Sequence, residues 1–375
     1  MNTDIVSVLL KDHGFMGVDS KELAQQIEAK EKCREKLPTW FNTPGIYYPK
    51  KINIEQTSSE ITAGYKAAIV NGNSLLDLTG GLGVDSYFFS LGLARVTYCE
   101  IDPELSEIAQ HNFRVLGRNN IDAYMGNGLA RLSHQESRPD WIFIDPSRRN
   151  SVKGKVFLLS DCLPNVPGNL DLILKGADHV LIKTSPLLDL SAGLRELRSV
   201  KEIHILSVKN EVKELLWILQ SGHQGEIRIK TANLLPCEDE FFDFFMSDEK
   251  QALPHYSVPL TYLYEPNSAI LKSGAFKLIG QKHGLHKLHE HSHLYTGDTL
   301  IRFLGRRFKI EQRLPFNKRA MQALDIQKAN ITTRNFPLSV AEIKKRFKIK
   351  DGGDDYLFFT TDLHGNRIVL RCSRA

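Results

Sequence analysis

The sequence predicts an α/β protein: a Rossmann-like core, preceded by a helical segment and followed by two small α+β domains. Three observations predict it. Leu75-Leu76-Asp77-Leu78-Thr79-Gly80-Gly81-Leu82-Gly83-Val84-Asp85 reads as a short buried strand that breaks on glycines and feeds a helix. Open α/β sheets receive their ligands at strand carboxyl ends of this kind. From Ser74 to about Leu234, strand and helix patterns alternate, which implies a parallel sheet covered on both faces. After Pro236 the rhythm changes to short strands and helices.

In chain order, residues 1 to about 37 are expected to be helical, with Leu23 and Ile27 on the apolar face and Asp19-Ser20 at a helix start. Pro38, Pro44-Gly45 and Pro49 mark a loop. A second helix runs from Ser58 or Ser59 to Val70. Strands are expected at Ser74–Leu78, Ala94–Glu100, Ala123–Met125, Trp141–Ile144, His179–Lys183, Glu202–Val208 and Glu226–Thr231. Helices are expected at Val84–Leu91, Pro103–Leu116, Leu170–Lys175, Ala192–Arg198 and Glu211–Gln220. Beyond Pro236 the pattern is strand Phe241–Met246, strand Val258–Tyr264, helix Ser268–Ile279 and a histidine-rich strand region from Leu285 to Tyr295. The tail reads strand Phe308–Arg313, helix Lys318–Leu324, strand Lys328–Arg334, helix Ser339–Phe347, then strands Tyr356–Thr361 and Arg367–Cys372 joined by the turn Asp362-Leu363-His364-Gly365-Asn366.

Length and composition set the frame. A chain of 375 residues calls for two to four domains, and 42% hydrophobic with 25% charged residues excludes a disordered chain. The five cysteines have no C-x-x-C spacing, so neither a zinc knuckle nor a disulfide framework is expected. No signal peptide and no apolar run of membrane-spanning length is read, which makes a reducing, cytoplasmic setting the default and no membrane partner expected. The net charge of +5 is uneven: from residue 300 onward 17 Lys and Arg face 7 Asp and Glu. A basic module of this kind fits either a polyanionic partner or a solvated charged surface.

The strand ends carry the chemistry. Asp77 through Gly83 resembles the acidic-residue-plus-glycine turn of class I methyltransferases, D-x-G-x-G-x-G, over which S-adenosylmethionine lies; Thr79 replaces the first glycine, and its hydroxyl is a candidate partner for the cofactor carboxylate. A dinucleotide site fits less well, because from Gly81 the third glycine of G-x-G-x-x-G falls on Ser86. Glu100, with Ile101 beside it, ends the second strand, where a carboxylate accepts both ribose hydroxyls; Asp102-Pro103 reads as a helix cap. Asn127, in Gly126-Asn127-Gly128, is placed to accept from the adenine amino group. The fourth strand ends in Asp145-Pro146-Ser147-Arg148-Arg149. Amino-directed methyltransferases carry D/N-P-P-aromatic there and hold an NH₂ group by its protons, needing no strong base because the leaving group is cationic. Asp145 and Pro146 fit that pattern, whereas Ser147 and Arg148 depart from it and remove the aromatic platform. Arg148 or Arg149 would hold an RNA phosphate or stack on a base, or form scaffold ion pairs with Asp145 or Asp161. Lys183, at the fifth strand end, is a candidate for a substrate phosphate. The stretch Glu55–Glu60 is either a lid over the cofactor or a helix cap. The cluster His283, His286, His289, His291 and His293 has no repeating cysteine or acidic partner, and no metal is expected. Arg306-Arg307 and the basic helix with Lys344, Lys345 and Arg346 suit phosphate recognition of structured RNA.

Leu76–Ser86, Ile144–Arg149, Leu181–Pro186 and Tyr262-Leu263-Tyr264-Glu265-Pro266-Asn267 together resemble a bacterial family found mainly in Bacteroidetes. Its members join a class I S-adenosylmethionine-dependent methyltransferase domain to a ferredoxin-like and a C-terminal THUMP-like domain. The resemblance spans nearly the whole chain and implies domains at 1–57 (helical), 58–236 (methyltransferase), 237–297 (ferredoxin-like) and 298–375 (THUMP-like). THUMP domains elsewhere bind RNA, commonly the acceptor end of tRNA. The reading is therefore an RNA methyltransferase, tRNA favoured over rRNA, acting at a base exocyclic amine and needing no obligate protein partner. Asp77, Thr79, Gly80, Gly81, Gly83, Asp85, Glu100, Ile101, Asn127 and Gly128 would hold the cofactor. Asp145, Pro146, Ser147 and Arg148 would place the acceptor. Arg149, Lys183, Arg306, Arg307, Lys344, Lys345 and Arg346 would meet RNA. The competing readings are an RNA-binding protein with an inactive methyltransferase fold, and a small-molecule or protein methyltransferase.

Overall fold

The computed structural model describes residues 19–135, 137–148 and 158–375. The first half of the expected N-terminal helix and Arg149 lie outside them, and of Arg148 only the backbone is described. Two compact units form: one runs through Glu202 and takes in Glu214–Gly225, the other comprises Ile203–Lys213 and Glu226–Ala375.

The first unit begins with helices α1 (Ser20–Lys36), α2 (Pro38–Asn42), α3 (Lys51–Gln56) and α4 (Glu60–Ile69). Asp19 caps α1 and Ser59 caps α4, each side chain accepting from a backbone N–H of the first turn; such caps are worth about 1 kcal/mol. Ala29, Cys33, Leu37, Trp40 and Ile54 share one buried cluster with Leu82 and Val84 of the glycine turn. The N-terminal helices are thus part of the wall behind that turn.

There follow β1 (Ser74–Asp77), α5 (Val84–Gly92), β2 (Arg95–Glu100), α6 (Pro103–Val115), β3 (Ile121–Met125), α7 (Gly128–Ser133), β4 (Trp141–Ile144), the short pair β5 (Ser147–Arg148) and β6 (Cys162–Leu163), α8 (Leu170–Gly176), β7 (His179–Thr184) and α9 (Leu190–Glu196). The strands lie in the order β7-β4-β1-β2-β3, all parallel. The carboxyl ends of these five strands therefore share one edge.

Next come β8 (Val200–Val208) and β9 (Glu211–Gln220). The helix expected at Glu211–Gln220 is a strand. Lys209 and Asn210 both adopt positive φ, 51° and 64°, the two-residue turn that reverses a hairpin. Leu215–Leu219 are all buried, and a short apolar run of this kind does not distinguish a two-sided strand from a buried helix by periodicity. β9 pairs antiparallel with β7, Thr184 opposite Leu215.

In the second unit β10 (Arg228–Leu234) and β11 (Glu240–Phe245) pair antiparallel, and α10 (Met246–Gln251) follows. The remainder is β12 (Tyr262–Pro266), α11 (Ser268–Ser273), α12 (Leu278–Lys282), β13 (His286–Lys287), β14 (Tyr295–Gly297), β15 (Gly305–Pro315), α13 (Lys318–Ala323), β16 (Asn330–Arg334), α14 (Val340–Phe347), β17 (Tyr356–Thr361) and β18 (Arg367–Arg374). These strands make one seven-stranded sheet, β13-β14-β12-β15-β18-β17-β16. Three expectations change here. The strand expected from Val258 begins at Tyr262. The helix expected over Ser268–Ile279 is two, divided where Gly274 turns left-handed at φ 80°. The histidine-rich region holds only the two short strands β13 and β14.

Candidate active site

The glycine turn is stitched to its neighbours. Leu78 N–H donates to the Phe143 carbonyl (3.0 Å), and Gly80 N–H to the Cys99 carbonyl (2.7 Å). Its glycines do different jobs. A Cβ on Gly80 would meet the Tyr98 ring at 2.1 Å, one on Gly83 the Phe113 ring at 2.4 Å, and one on Gly128 the Leu78 carbonyl oxygen at 2.4 Å. These three are small because protein packs against them. Gly81 differs: its φ is +56° and its Cβ position meets nothing nearer than the Thr79 carbonyl oxygen at 4.0 Å. It is the open, left-handed point of the turn, the kind of cradle that lets a ligand reach the backbone.

Asp77 is fully buried and holds the turn from behind. Its carboxylate accepts from Thr79 N–H (2.9 Å) and from the Ser86 hydroxyl (2.7 Å). Burial pushes its carboxyl up to about 7, against those two hydrogen bonds. Asp85 is also buried rather than facing the turn's open side: it accepts from the Ser58 hydroxyl (2.8 Å) and pairs with Lys66 (3.2 Å). Both residues, expected at the cofactor, act through the scaffold: Asp77 is the buried last residue of β1 and Asp85 is buried in the first turn of α5. The Glu55–Glu60 stretch takes the capping role, with Ser59 on α4 and Ser58 on Asp85.

Glu100 points at the turn. One carboxylate oxygen accepts from Gly81 N–H (2.8 Å), the other from Asp102 N–H (2.8 Å), which leaves further lone pairs for two hydroxyls. Asp102 caps α6 as expected. Ile101, 69% exposed, is an apolar side chain left uncovered beside Glu100, with Tyr124 and Met125 likewise exposed at the end of β3. Asn127 caps α7, its side-chain oxygen accepting from Leu129 and Ala130 N–H. The open Gly81, the carboxylate and the exposed apolar edge fit a ligand with a charged tail, a diol and a flat ring.

Thr79 does more than its sequence position suggests. Its hydroxyl oxygen accepts from Asp145 N–H (2.7 Å), locking the turn to the Asp-Pro-Ser-Arg segment. The Asp145 carboxylate in turn accepts a hydrogen bond from the Lys183 ammonium. Lys183, expected at an RNA phosphate, is instead committed to Asp145 and nearly buried. Burial works against its charge, but Asp145, Glu214 and Asp85 outweigh burial and hold the ammonium above the ordinary lysine range. Behind it lies fully buried Lys66, 2.6 Å from Glu214. Burial would raise the Glu214 carboxyl, yet Lys66 and Lys183 hold it below the usual range; for Asp85 burial prevails and the carboxyl is raised.

Lys66 and Glu214 were not singled out from the sequence. A lysine on the buried face of α4 beside Thr62 and Ala63, and a glutamate opening the apolar run Leu215–Leu219, were the available signals. The antiparallel register of β9 decides the rest: with Thr184 opposite Leu215, Glu214 arrives at the edge where the parallel strands end.

Residues 262–303 match a ferredoxin-like domain model and residues 305–374 a THUMP-like domain model. The crystal structure of a Porphyromonas gingivalis W83 protein assigned as a methyltransferase is 33% identical, with a TM-score of 0.92 over 100% of this chain and 95% of that one. Two Mycobacterium tuberculosis proteins, from strains CDC 1551 / Oshkosh and ATCC 25618 / H37Rv, are named S-adenosylmethionine-dependent methyltransferases; each is 26% identical over 304 residues, 79% of this chain and 80% of theirs. The chain belongs to the S-adenosylmethionine-dependent methyltransferases that carry ferredoxin-like and THUMP-like domains. This methyltransferase uses S-adenosylmethionine as methyl donor.

In its second unit, the basic residues singled out from the sequence divide. Arg306, its side chain 37% exposed, is held by buried Glu265, which Arg334 also binds at 2.9 Å. Arg307 donates to the Ile301 carbonyl (3.3 Å), and Lys344 pairs with Asp351. Lys345 and Arg346 stand exposed on α14. The histidines are locally engaged: His283 bonds the Ile279 carbonyl (2.9 Å), and His293 stacks on Phe276 with ring centroids 3.6 Å apart. Burial pushes His293 down to about 4. Among the described residues no group of three or more His, Cys, Asp or Glu is placed to hold a metal, and no helix is long and apolar enough to cross a membrane.

Proposed function

We propose that this enzyme methylates structured RNA in the cytoplasm, tRNA in preference to rRNA. The observation that carries the reading is the exposed basic end of α14 on a THUMP-like domain: Lys345 and Arg346 in its last turn and Lys348 and Lys350 just beyond it are all exposed, within a tail of net charge +10. Cations so arranged bind phosphates by releasing counterions. In the same reading Thr79, Gly81, Gly83, Glu100 and Asn127 hold S-adenosylmethionine, and Asp145 with Pro146 places the acceptor. An exocyclic amine, the acceptor that the Asp-Pro motif suggests, calls for a free Asp145 carboxylate, and Lys183 holds one of its oxygens.

The test is binding of the full-length protein to purified tRNA and to rRNA fragments across a salt series, with Lys345→Glu/Arg346→Glu as the variant. The reading expects tighter tRNA binding that weakens steeply with salt, and a loss of roughly tenfold or more in the variant. Equal binding by the variant, or no RNA binding at low salt, would refute it and favour a small-molecule or protein acceptor. RNA binding without methyl transfer to any RNA would favour the inactive-fold reading.

A further inference from the structure

We propose that the methyl acceptor is a ribose 2′-hydroxyl, with the Lys183 ammonium donating a hydrogen bond to the acceptor oxygen and Asp145 taking its proton; this rests on the RNA reading above.

The two acceptor types need different partners. An amino nitrogen presents its protons to acceptors and its lone pair to the methyl group. An ammonium beside it is one more donor, facing protons that have nowhere to go. A hydroxyl has one proton for a carboxylate and lone pairs to spare for both an ammonium and the methyl carbon. Asp145 and Lys183, paired to one another, match the hydroxyl on both counts.

Exposure places the pair at the right end of the charge network. The Asp145 side chain is 33% exposed and that of Lys183 11%, while Asp85, Glu214 and Lys66 fall to 10%, 6% and 0%. Substrate therefore meets Asp145 and Lys183, and the deeper groups act on them. Glu214 and Asp85 keep Lys183 charged. Lys66 keeps those two carboxylates in place. Five buried or half-buried charges are costly to assemble, and an amine acceptor has little use for them. A hydroxyl does, because it is a poor nucleophile that must lose a proton as it attacks. Exposed Ser147 agrees: the motif offers no aromatic face on which to stack a base, and a ribose needs none.

The step balances. The 2′-oxygen forms a bond to the methyl carbon as the carbon–sulfur bond breaks, and the bonding pair stays on sulfur, which becomes a neutral thioether. The hydroxyl proton passes to Asp145 and then to water. The hydrogen bond from the fixed ammonium makes the hydroxyl more acidic, Asp145 takes the proton as the oxygen–carbon bond forms, and the ammonium stabilises the negative charge the oxygen carries until transfer completes.

The experiment is incubation of full-length protein with methyl-labelled S-adenosylmethionine and total RNA from a strain lacking the gene. Alkaline hydrolysis and nucleoside mass spectrometry follow. A 2′-O-methyl group blocks cleavage of the next phosphodiester, so label is expected in alkali-stable dinucleotides and in a 2′-O-methylnucleoside. Label in a base-methylated nucleoside overturns the hydroxyl assignment and leaves the RNA reading standing. Cofactor binding with no label in any RNA overturns both. In parallel, Lys183→Met is expected to lose roughly 100-fold or more in turnover, with cofactor affinity changed by less than about threefold, while Lys183→Arg recovers part of the rate. Unchanged turnover in Lys183→Met overturns the proposed role. Should that variant fail to bind cofactor, the Arg variant and the wild-type hydrolysis products still decide.

Discussion

Replacing Lys66 by Met tests the charge network at its deepest point. The Lys66 side chain is 0% exposed and its ammonium lies 2.6 Å from Glu214, 3.2 Å from Asp85 and 3.1 Å from the Ser58 hydroxyl. Met fills similar space but leaves two carboxylates, 10% and 6% exposed, facing each other without their shared cation. Removing one partner of a buried ion pair costs roughly 3–5 kcal/mol. With a urea slope of about 2–3 kcal/mol/M for a unit of this size, the midpoint falls by roughly 1–2.5 M. The assay is built into the chain: Trp40, Trp141 and Trp217 are its only tryptophans, and all three are buried in the first unit. Their emission reports that unit alone. The double variant Lys66→Met/Glu214→Leu should recover part of the loss, since one orphaned charge is gone. The deficit of the single variant should shrink on acidification, as Asp85, already raised by burial, takes up a proton. A midpoint within about 0.3 M of wild type at pH 7.5 would refute the reasoning.

Further outcomes are expected at the same edge. Asp77 holds a proton up to about pH 7 in the fold but only to about pH 4 unfolded, so the native state binds more protons in that window and stability falls as pH rises through it, by roughly 4 kcal/mol in all. Asp77→Asn should flatten this slope in urea melts at pH 4.5 and 8, and parallel slopes would sink the assignment. Gly81→Val forces a branched side chain into φ +56° on the open side of the turn, and calorimetry should show S-adenosylmethionine affinity reduced at least tenfold. Glu100→Ala removes the acceptor of Gly81 N–H and should weaken the cofactor comparably; normal binding by both variants would count against this site. Asp145→Ala should abolish methyl transfer while much of the cofactor affinity remains, and unchanged turnover would remove it from the reaction.

The legible parts of the fold were those whose signal is local. The glycine turn, the caps at Asp19, Ser59, Asp102 and Ser339 and the tail's strand–helix order are written in a few adjacent residues. Glu211–Gln220 was not legible, because an apolar run buried on both faces has no period that separates strand from helix; the hairpin at Lys209-Asn210 lacks the glycine that usually marks one. The split of Ser268–Ile279 at Gly274 was signalled only by a residue that helices also tolerate.

The sequence by itself determined the class of the enzyme: an acidic residue and glycines after one strand, a carboxylate after the next and Asp-Pro after the fourth are short-range patterns, and backbone sterics give them one structural meaning. Tertiary structure alone decided which polar groups meet. Lys66, Asp85, Asp145, Lys183 and Glu214 span nearly 150 residues of chain, and only the antiparallel entry of β9 beside β7 brings the last of them to the edge where the first four converge. Charge pairing over such separations is set by register, which no local pattern encodes. It turned Lys183 from a candidate for a substrate phosphate into the partner of Asp145.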